Sequence, residues 1–221
     1  MPGYLIHLAS CYPGSLSSQS FRLGVEAPDL LKGYYKRFGL EGARSKWESL
    51  RIPGIPRFDR FEKRVQQPEL KGSTDGLHFG PSSSPDLTAF WNSLSLPEQY
   101  SPFWRGYLWH LATDKVFYKR LRIEELLKKK MATMQRGKKA YESKVTQTQL
   151  DWDRTNSLVL SHYPHLFIPL ELQELDVIHF VEDKNFRYIS EIILLDTIDY
   201  LRKFDPLSDG IMNSIQFILE G

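Results

Sequence analysis

The chain has 221 residues, enough for one domain, and its 41% hydrophobic content is enough for a packed core. Its 29 basic and 27 acidic residues give a net charge of +2, which argues against attraction of the whole surface to nucleic acid or anionic membranes. The single cysteine, Cys11, excludes an internal disulfide and a metal site built from several thiolates.

The first residues, MPGYLIHLASCYPG, lack a basic segment followed by a long apolar one, so we expect no signal peptide. No stretch approaches 18 consecutive apolar residues, so we also expect no membrane-spanning helix. A cytoplasmic location is the resulting prediction.

The first forty residues predict two helical regions. Residues 3–12 are expected to form a short helix that carries His7. Residues 16–38 favour helix with a break near residues 25–28, because proline suits the first turn of a new helix. Asp29 would then lie near the start of that helix, where its charge could simply complement the helix dipole.

A long irregular segment follows a short helix predicted at residues 41–50. Prolines and glycines are frequent between residues 52 and 85, which argues against long helices there. His78 lies in this segment, within STDGLHFGPSSSP, which is too rich in glycine to need a histidine for structure. We therefore consider His78 a candidate ligand, with an ordinary loop residue as the alternative.

Helix is expected again from residue 84 to 93, and Ser101-Pro102 is expected to begin a longer helix. Further helices are predicted at residues 121–160, 188–198 and 207–219. The basic run within the first of these favours a solvated helix face, with a phosphate- or lipid-facing patch as the alternative. A short β-branched run at residues 177–181 could form a strand. The helices dominate, which predicts an all-α bundle in a single domain over residues 1–221.

His110 and Asp114 are the most informative pair in the sequence. Residues four apart lie on one face of a helix, about 5–6 Å apart between Cβ atoms, so an imidazole nitrogen and a carboxylate oxygen can bind one divalent cation. A surface hydrogen bond, or a core histidine satisfied by a nearby acid, would give the same spacing. His7, in a short apolar helix, has a similar alternative as a buried, hydrogen-bonded histidine.

The order of these residues resembles the zinc-dependent phospholipase C family. The matching motifs, within residues 1–118, are His7, Ala27-Pro28-Asp29, His78 and the segment GYLWHLATD at residues 106–114. The resemblance implies an all-α fold that is shared with the zinc-dependent single-strand nucleases. Residues 119–221 would add a basic helical extension and C-terminal helices to this half of the chain.

The resemblance also implies the ligands of a metal site. Four residues would gather around one divalent ion: Asp29, His78, His110 and Asp114. His7 would bind a second ion or support a ligating carboxylate through a hydrogen bond. Zinc suits two nitrogens and two carboxylates, and iron or manganese would also accept them. No histidine follows Asp114 before His162, whereas the secreted enzymes have further zinc ligands there, so we expect one or two ions.

These expectations predict a metal-dependent hydrolase of phosphoester bonds that acts through a water molecule activated by the metal. Asp29 and Asp114 are the predicted catalytic residues, because either could steer that water while binding the ion. The expected substrate is a small-molecule or lipid phosphoester that resembles a phospholipid or a nucleotide. Binding of nucleic acid through the basic segment at residues 119–144 is a less favoured alternative. The alternative is a non-catalytic helical domain in which the ion contributes folding energy. A phosphohydrolase of the His-Asp type would need an adjacent His-Asp doublet, and the sequence has none.

Overall fold

A computed structural model of the protein describes residues 4–65, 76–81, 84–121, 158–166 and 191–220. These residues are mainly helical and contain no strand, which confirms the predicted all-α class for this part of the chain. The helices are α1 (Tyr4–Ser10), α2 (Gln19–Ser49), α3 (Asp59–Val65), α4 (Leu87–Asn92), α5 (Leu96–Gln99), α6 (Pro102–Leu121), α7 (Glu191–Arg202) and α8 (Ile211–Glu220). Two short 3-10 turns lie at Pro13–Ser17 and Gly76–His78, and residues 158–162 are also helical.

The centre of the fold is the close crossing of α2 and α6. A Cβ atom added to Gly24 would lie 2.0 Å from the carbonyl oxygen of Phe103, and one added to Gly106 would lie 2.1 Å from that of Phe21. Each helix therefore uses a glycine to let the backbone of the other approach. Asp29 follows the first glycine by five residues and His110 follows the second by four, so this crossing sets the distance between them.

Aromatic side chains fill the space beside this crossing. The ring of Tyr107 in α6 is nearly parallel to two others, with ring centroids 6.2 Å from Phe61 and 5.1 Å from Phe90. Trp47 packs edge-on against Phe61 and Phe103. These rings are all at most 1% exposed, so they form a rigid core next to the N-terminal half of α6.

The predicted break near residues 25–28 is wrong, because α2 continues through Pro28. A proline inside a helix costs about 3 kcal/mol, since it lacks an amide hydrogen and its ring crowds the preceding turn. Leu30 and Leu31 are fully buried beyond it, and burying each contributes about 1.5–3 kcal/mol, which offsets that cost. Asp29 consequently lies inside a helix and not at a helix start.

The backbone of α2 leaves helical geometry at Gly39, with φ 69° and ψ −172°. Glycine tolerates this positive φ, which other residues rarely adopt. The separate helix predicted at residues 41–50 corresponds to the part of α2 after this kink. At the other end, the Ser18 side chain accepts a hydrogen bond from the Phe21 amide and caps the helix.

The irregular segment predicted at residues 52–85 is only partly irregular. It contains α3 and the 3-10 turn that ends at His78. The helix predicted at residues 84–93 is α4, whose N-cap is Asp86, with its side chain 2.8 Å from the Ala89 amide. The helix starting after Ser101 is confirmed as α6, whereas α5 was not predicted.

The C-terminal helices predicted at residues 188–198 and 207–219 are found as α7 and α8, with shifted bounds. Most of residues 121–160, which are predicted to form one or two long helices, lie outside the described residues, and so does the possible strand at residues 177–181. Among the helices that are described, none is long and apolar enough to cross a membrane. The single-domain arrangement over residues 1–221 stays a prediction.

Candidate metal centre

The five residues predicted as ligands lie together in the interior. Helix α1 carries His7, α2 carries Asp29, the turn at Gly76–His78 carries His78, and α6 carries His110 and Asp114. The side chain of Asp29 is 17% exposed, whereas the other four are at most 1% exposed. Four separate elements therefore supply side chains to one buried cluster, and Asp29 lies at its solvent edge.

Donor atoms of His78, His110 and Asp114 lie at similar distances from one another, and Asp29 lies at a similar distance from His78. His78 Nε2 lies 3.1 Å from His110 Nε2, 3.7 Å from Asp29 Oδ1 and 3.6 Å from Asp114 Oδ2. His110 Nε2 lies 3.6 Å from the same Asp114 oxygen. A tetrahedral ion with bonds of about 2.0–2.1 Å would hold its donors about 3.3–3.4 Å apart. His78 Nε2, His110 Nε2 and Asp114 Oδ2 thus have spacings close to those around one small divalent ion, and Asp29 Oδ1 lies next to His78.

His7 approaches the other oxygen of Asp114. Its Nε2 atom lies 3.4 Å from Asp114 Oδ1, and its ring stacks on His110 with centroids 3.8 Å apart and an interplanar angle of 15°. Ligand atoms of His7, His110 and Asp114 all lie within 4.8 Å of one another, as do those of Asp29, His78 and His110. The two oxygens of Asp114 therefore face two different groups of donors.

A backbone carbonyl orients His110. The Nδ1 atom of His110 lies 2.7 Å from the Val25 carbonyl oxygen. A carbonyl can only accept a hydrogen bond, so Nδ1 carries the proton, and in the neutral ring Nε2 has a free lone pair. Metal-binding histidines commonly donate their other ring nitrogen in this way. The lone pair of His110 consequently points into the cluster.

The carboxylate of Asp114 is buried in an environment that disfavours its charge. Neither of its oxygens accepts a hydrogen bond from the described residues, and the same holds for Oδ1 of Asp29. Burial raises the pKa of Asp114 to about 8; of the charges nearby, His78 lowers this pKa and Asp29 raises it. A divalent cation would compensate both carboxylates, because buried charges are otherwise costly.

His7 is also held in its neutral form. Burial lowers its pKa well below the usual range, and His110 and His78 lower it further. Neither ring nitrogen of His7 makes a hydrogen bond within the described part of the chain. A neutral imidazole with an available nitrogen is the form that binds metals.

The residues next to the ligands fix the elements that carry them. Ser10 Oγ donates to the His7 carbonyl at 2.8 Å and lies 3.0 Å from Thr113 Oγ1, so it connects α1 to α6 beside Asp114. The hydroxyl of Tyr107 donates to the Leu77 carbonyl, next to His78. Sequence reasoning missed these contacts, and it also missed the two glycines of the helix crossing. Glycines shortly before Asp29 and His110 are the only sequence signal that could have indicated the crossing.

Three further residues show how far the cluster extends: Lys32, His162 and His165. The positive charge of Lys32, one helical turn after Asp29, lowers the pKa of Asp114, so it lies near the cluster. His162 and His165 are exposed and belong to neither group of potential ligands. These two histidines thus do not extend the centre.

Comparisons of the chain with protein-family models, with curated proteins and with solved structures found no match. The resemblance to the zinc-dependent phospholipase C family therefore stays an interpretation of the sequence motifs.

Proposed function

We propose that the protein is a metal-dependent hydrolase of phosphoester bonds, with Zn²⁺ as its ion. The observation that carries this proposal is the spacing of 3.1–3.7 Å from His78 Nε2 to donor atoms of His110, Asp29 and Asp114. Two of the donors are carboxylates whose buried oxygens lack hydrogen bonds from the described residues. A divalent cation explains both features at once.

The donor set limits the identity of the ion. Two imidazole nitrogens and two carboxylate oxygens suit zinc, and iron or manganese can replace it. The principal ion would be held by Asp29, His78, His110 and Asp114. A second ion would bind His7 and the other oxygen of Asp114, so one or two ions are proposed.

When bound, the ion supplies acidity to a coordinated water and polarises a phosphoryl oxygen. Hydrolysis forms a bond between the water oxygen and phosphorus, breaks the bond to the alkoxide, and transfers the water proton to that leaving group. Asp29 is positioned to orient this water, because its Oδ1 atom is buried while part of its side chain is exposed. Asp114, which is fully buried, holds the ion and shapes the charge around it.

The proposed substrate is a small-molecule or lipid phosphoester whose phosphate enters at the exposed edge of Asp29. Lys32 lies one helical turn further along α2 and would neutralise charge on that phosphate. Both residues are on the same face of the helix, because positions three apart are neighbours there.

A second candidate function is supported by the burial of the cluster. Four of its five side chains are at most 1% exposed, and closed sites are typical of structural zinc. In this case the ion would join α1, α2, α6 and the turn at Gly76–His78, and would contribute folding energy without catalysis.

One set of measurements separates the two functions. The purified full chain is analysed for metal content and assayed on bis(p-nitrophenyl) phosphate and a short-chain phosphatidylcholine. We expect activity that a chelator removes and Zn²⁺ restores, and a loss of at least about 100-fold in Asp29→Asn. Asp205→Asn is the matched control, because Asp205 is exposed and asparagine can still accept the hydrogen bond from the Leu207 amide.

Bound metal without any turnover on either ester would support the structural ion. A protein that binds no divalent metal would contradict both functions.

A further inference from the structure

We propose that Tyr107 is a positioning residue for the metal centre, because its hydroxyl holds the turn that carries His78. This inference rests on the proposed function, since it concerns how one of the proposed ligands is kept in place. Tyr107 itself would not touch the ion or the substrate.

The hydrogen bond that carries the proposal connects α6 to the residue before His78. The hydroxyl of Tyr107 donates to the carbonyl oxygen of Leu77 at 2.5 Å, and the contact is buried. Tyr107 is 1% exposed and Leu77 is 2% exposed, so water does not replace either partner. Loss of this hydroxyl would remove a buried hydrogen bond from the Leu77 carbonyl.

His78 depends on such a contact more than the other proposed ligands do. The other four lie on α-helices, whose backbone hydrogen bonds fix their positions, whereas His78 ends a three-residue 3-10 turn. The next residue, Phe79, has a φ of 54°, which is unusual for a residue other than glycine. After it, the Phe79 carbonyl accepts a hydrogen bond of 3.1 Å from the Asp86 amide. Tyr107 and Asp86 thus hold the two sides of His78.

Tyr107 is itself held rigidly. Its ring lies nearly parallel to those of Phe61 and Phe90, with interplanar angles of 6° and 9°. It precedes His110 by three residues on α6, so both side chains lie on the same side of the helix. One helix therefore carries two proposed ligands and the anchor for a third.

This arrangement determines the geometry at the ion. Metal–ligand distances tolerate only about 0.2 Å, so a small shift of the turn would weaken binding by His78. Because Tyr107 and His110 belong to one helix, the hydroxyl fixes the turn relative to His110. In this proposal, the hydrogen bond from Tyr107 sets the distance of 3.1 Å between the Nε2 atoms of His78 and His110.

The test uses Tyr107→Phe, which keeps the ring and removes only the hydroxyl. Co²⁺ and Zn²⁺ are titrated into the metal-free full chain, and the visible absorption of the Co²⁺ form is recorded. We expect the Kd for both metals to rise about 10- to 100-fold, as for other residues that support metal ligands, with a changed Co²⁺ spectrum. Tyr163→Phe is the control, because it removes a tyrosine hydrogen bond to Asp199 of 3.1 Å at an exposed site.

A purely structural role for Tyr107 would lower the Tm of the variant and leave its Kd and its Co²⁺ spectrum unchanged, which would overturn the inference. In a His78→Ala background, Tyr107→Phe should change the Kd no further, and a full additional effect would also contradict it. Failure of the wild type to bind either metal would instead overturn the proposed function.

A measurement on the wild type covers the case in which Tyr107→Phe does not fold. Hydrogen–deuterium exchange of residues 76–81 should be slow in the metal-free protein, because the hydroxyl already holds the turn. Protection that arises only when Zn²⁺ is added would contradict the inference, since the ion and not Tyr107 would then order the turn.

Discussion

The crossing of α2 and α6 and the turn at residues 76–81 both bring proposed ligands to the centre, but different contacts fix them. At the crossing, two glycines let the backbones of α2 and α6 approach closely, and many buried side chains stabilise the contact. At the turn, hydrogen bonds to the Leu77 and Phe79 carbonyls define the backbone around His78. We therefore expect changes at the crossing to affect the whole fold, and changes at the turn to affect mainly metal binding.

The largest effect is expected for Gly106→Ala. The added Cβ would lie 2.1 Å from the Phe21 carbonyl, so the helices must separate. Overpacking of a core typically costs about 1–3 kcal/mol, and this backbone contact should give the upper end of that range with loss of metal binding. Chemical denaturation and metal titration measure both.

Gly210→Ala is the matched control for Gly106→Ala, because a Cβ there meets no atom within 4 Å. Equal stability of the two variants would show that the crossing does not need its glycine.

Next in size is His110→Ala, which removes one donor and leaves the crossing intact. We expect the Zn²⁺ content of the purified protein to fall to near zero, because His110 belongs to both groups of potential ligands. His162→Ala is the control, since this histidine is exposed. Full metal content in His110→Ala would show that the proposed site is wrong.

A smaller effect is expected from pH. The pKa of Asp114 is raised to about 8 by burial, so the metal-free protein holds a proton there that the ion must displace. Affinity for Zn²⁺ should therefore rise about tenfold per pH unit below pH 8 and level off above it. Calorimetric titration at several pH values measures this, and a constant affinity from about pH 6 to 8 would contradict a protonated Asp114.

The raised pKa of Asp114 also makes the stability of the metal-free protein depend on pH, and this dependence runs opposite to that of the affinity for Zn²⁺. Because the folded pKa of Asp114 is raised, the folded metal-free protein binds more protons than the unfolded chain between about pH 4 and 8. Its free energy of unfolding should therefore receive a contribution from Asp114 that is present at acid pH and is lost as the pH rises through 8. His7 has the opposite effect on stability. Because its pKa is lowered in the folded protein, His7 takes up a proton on unfolding at acid pH, so its contribution to the free energy of unfolding falls as the pH falls.

The smallest effect on the principal ion is expected for His7→Ala. His7 faces Oδ1 of Asp114, whereas His78 and His110 approach Oδ2. The Kd of the first ion should change by no more than about tenfold, while any second ion is lost. Stoichiometry from elemental analysis checks this, and complete loss of metal would place His7 in the principal set.

Much of the cluster could be predicted because its strongest signal is local. The spacing of His110 and Asp114 follows from helix geometry, and their helix begins at a proline that the sequence marks clearly. The small helix α5 was missed even though Ser95 and Glu98 have the spacing of a capping box. Its four residues are too few for a periodic apolar pattern, so only the cap could have indicated it.

The features of the fold and the cluster that the sequence did not predict depend on contacts between distant parts of the chain. Pro28 indicated a helix break, but packing of α2 against α6 kept the helix continuous. The carbonyl of Val25, which orients His110, is a backbone group and has no signature in the sequence. The contact between Tyr107 and Leu77 spans 30 residues and depends on the path of a loop, so no local pattern could predict it.

The contact between α1 and α7 affects the order in which the metal centre assembles during folding. Arg202 of α7 donates a hydrogen bond of 2.6 Å to the carbonyl of Ala9, and the two residues are 193 positions apart in the sequence. Ala9 lies two positions after His7 in α1. Closing such a long loop is slow compared with the approach of α2 to α6. We expect α1 to gain protection after those helices during refolding, as measured by pulsed hydrogen exchange. His7 would then be the last of the five side chains to reach its position, after the others had formed a partial site able to capture an ion.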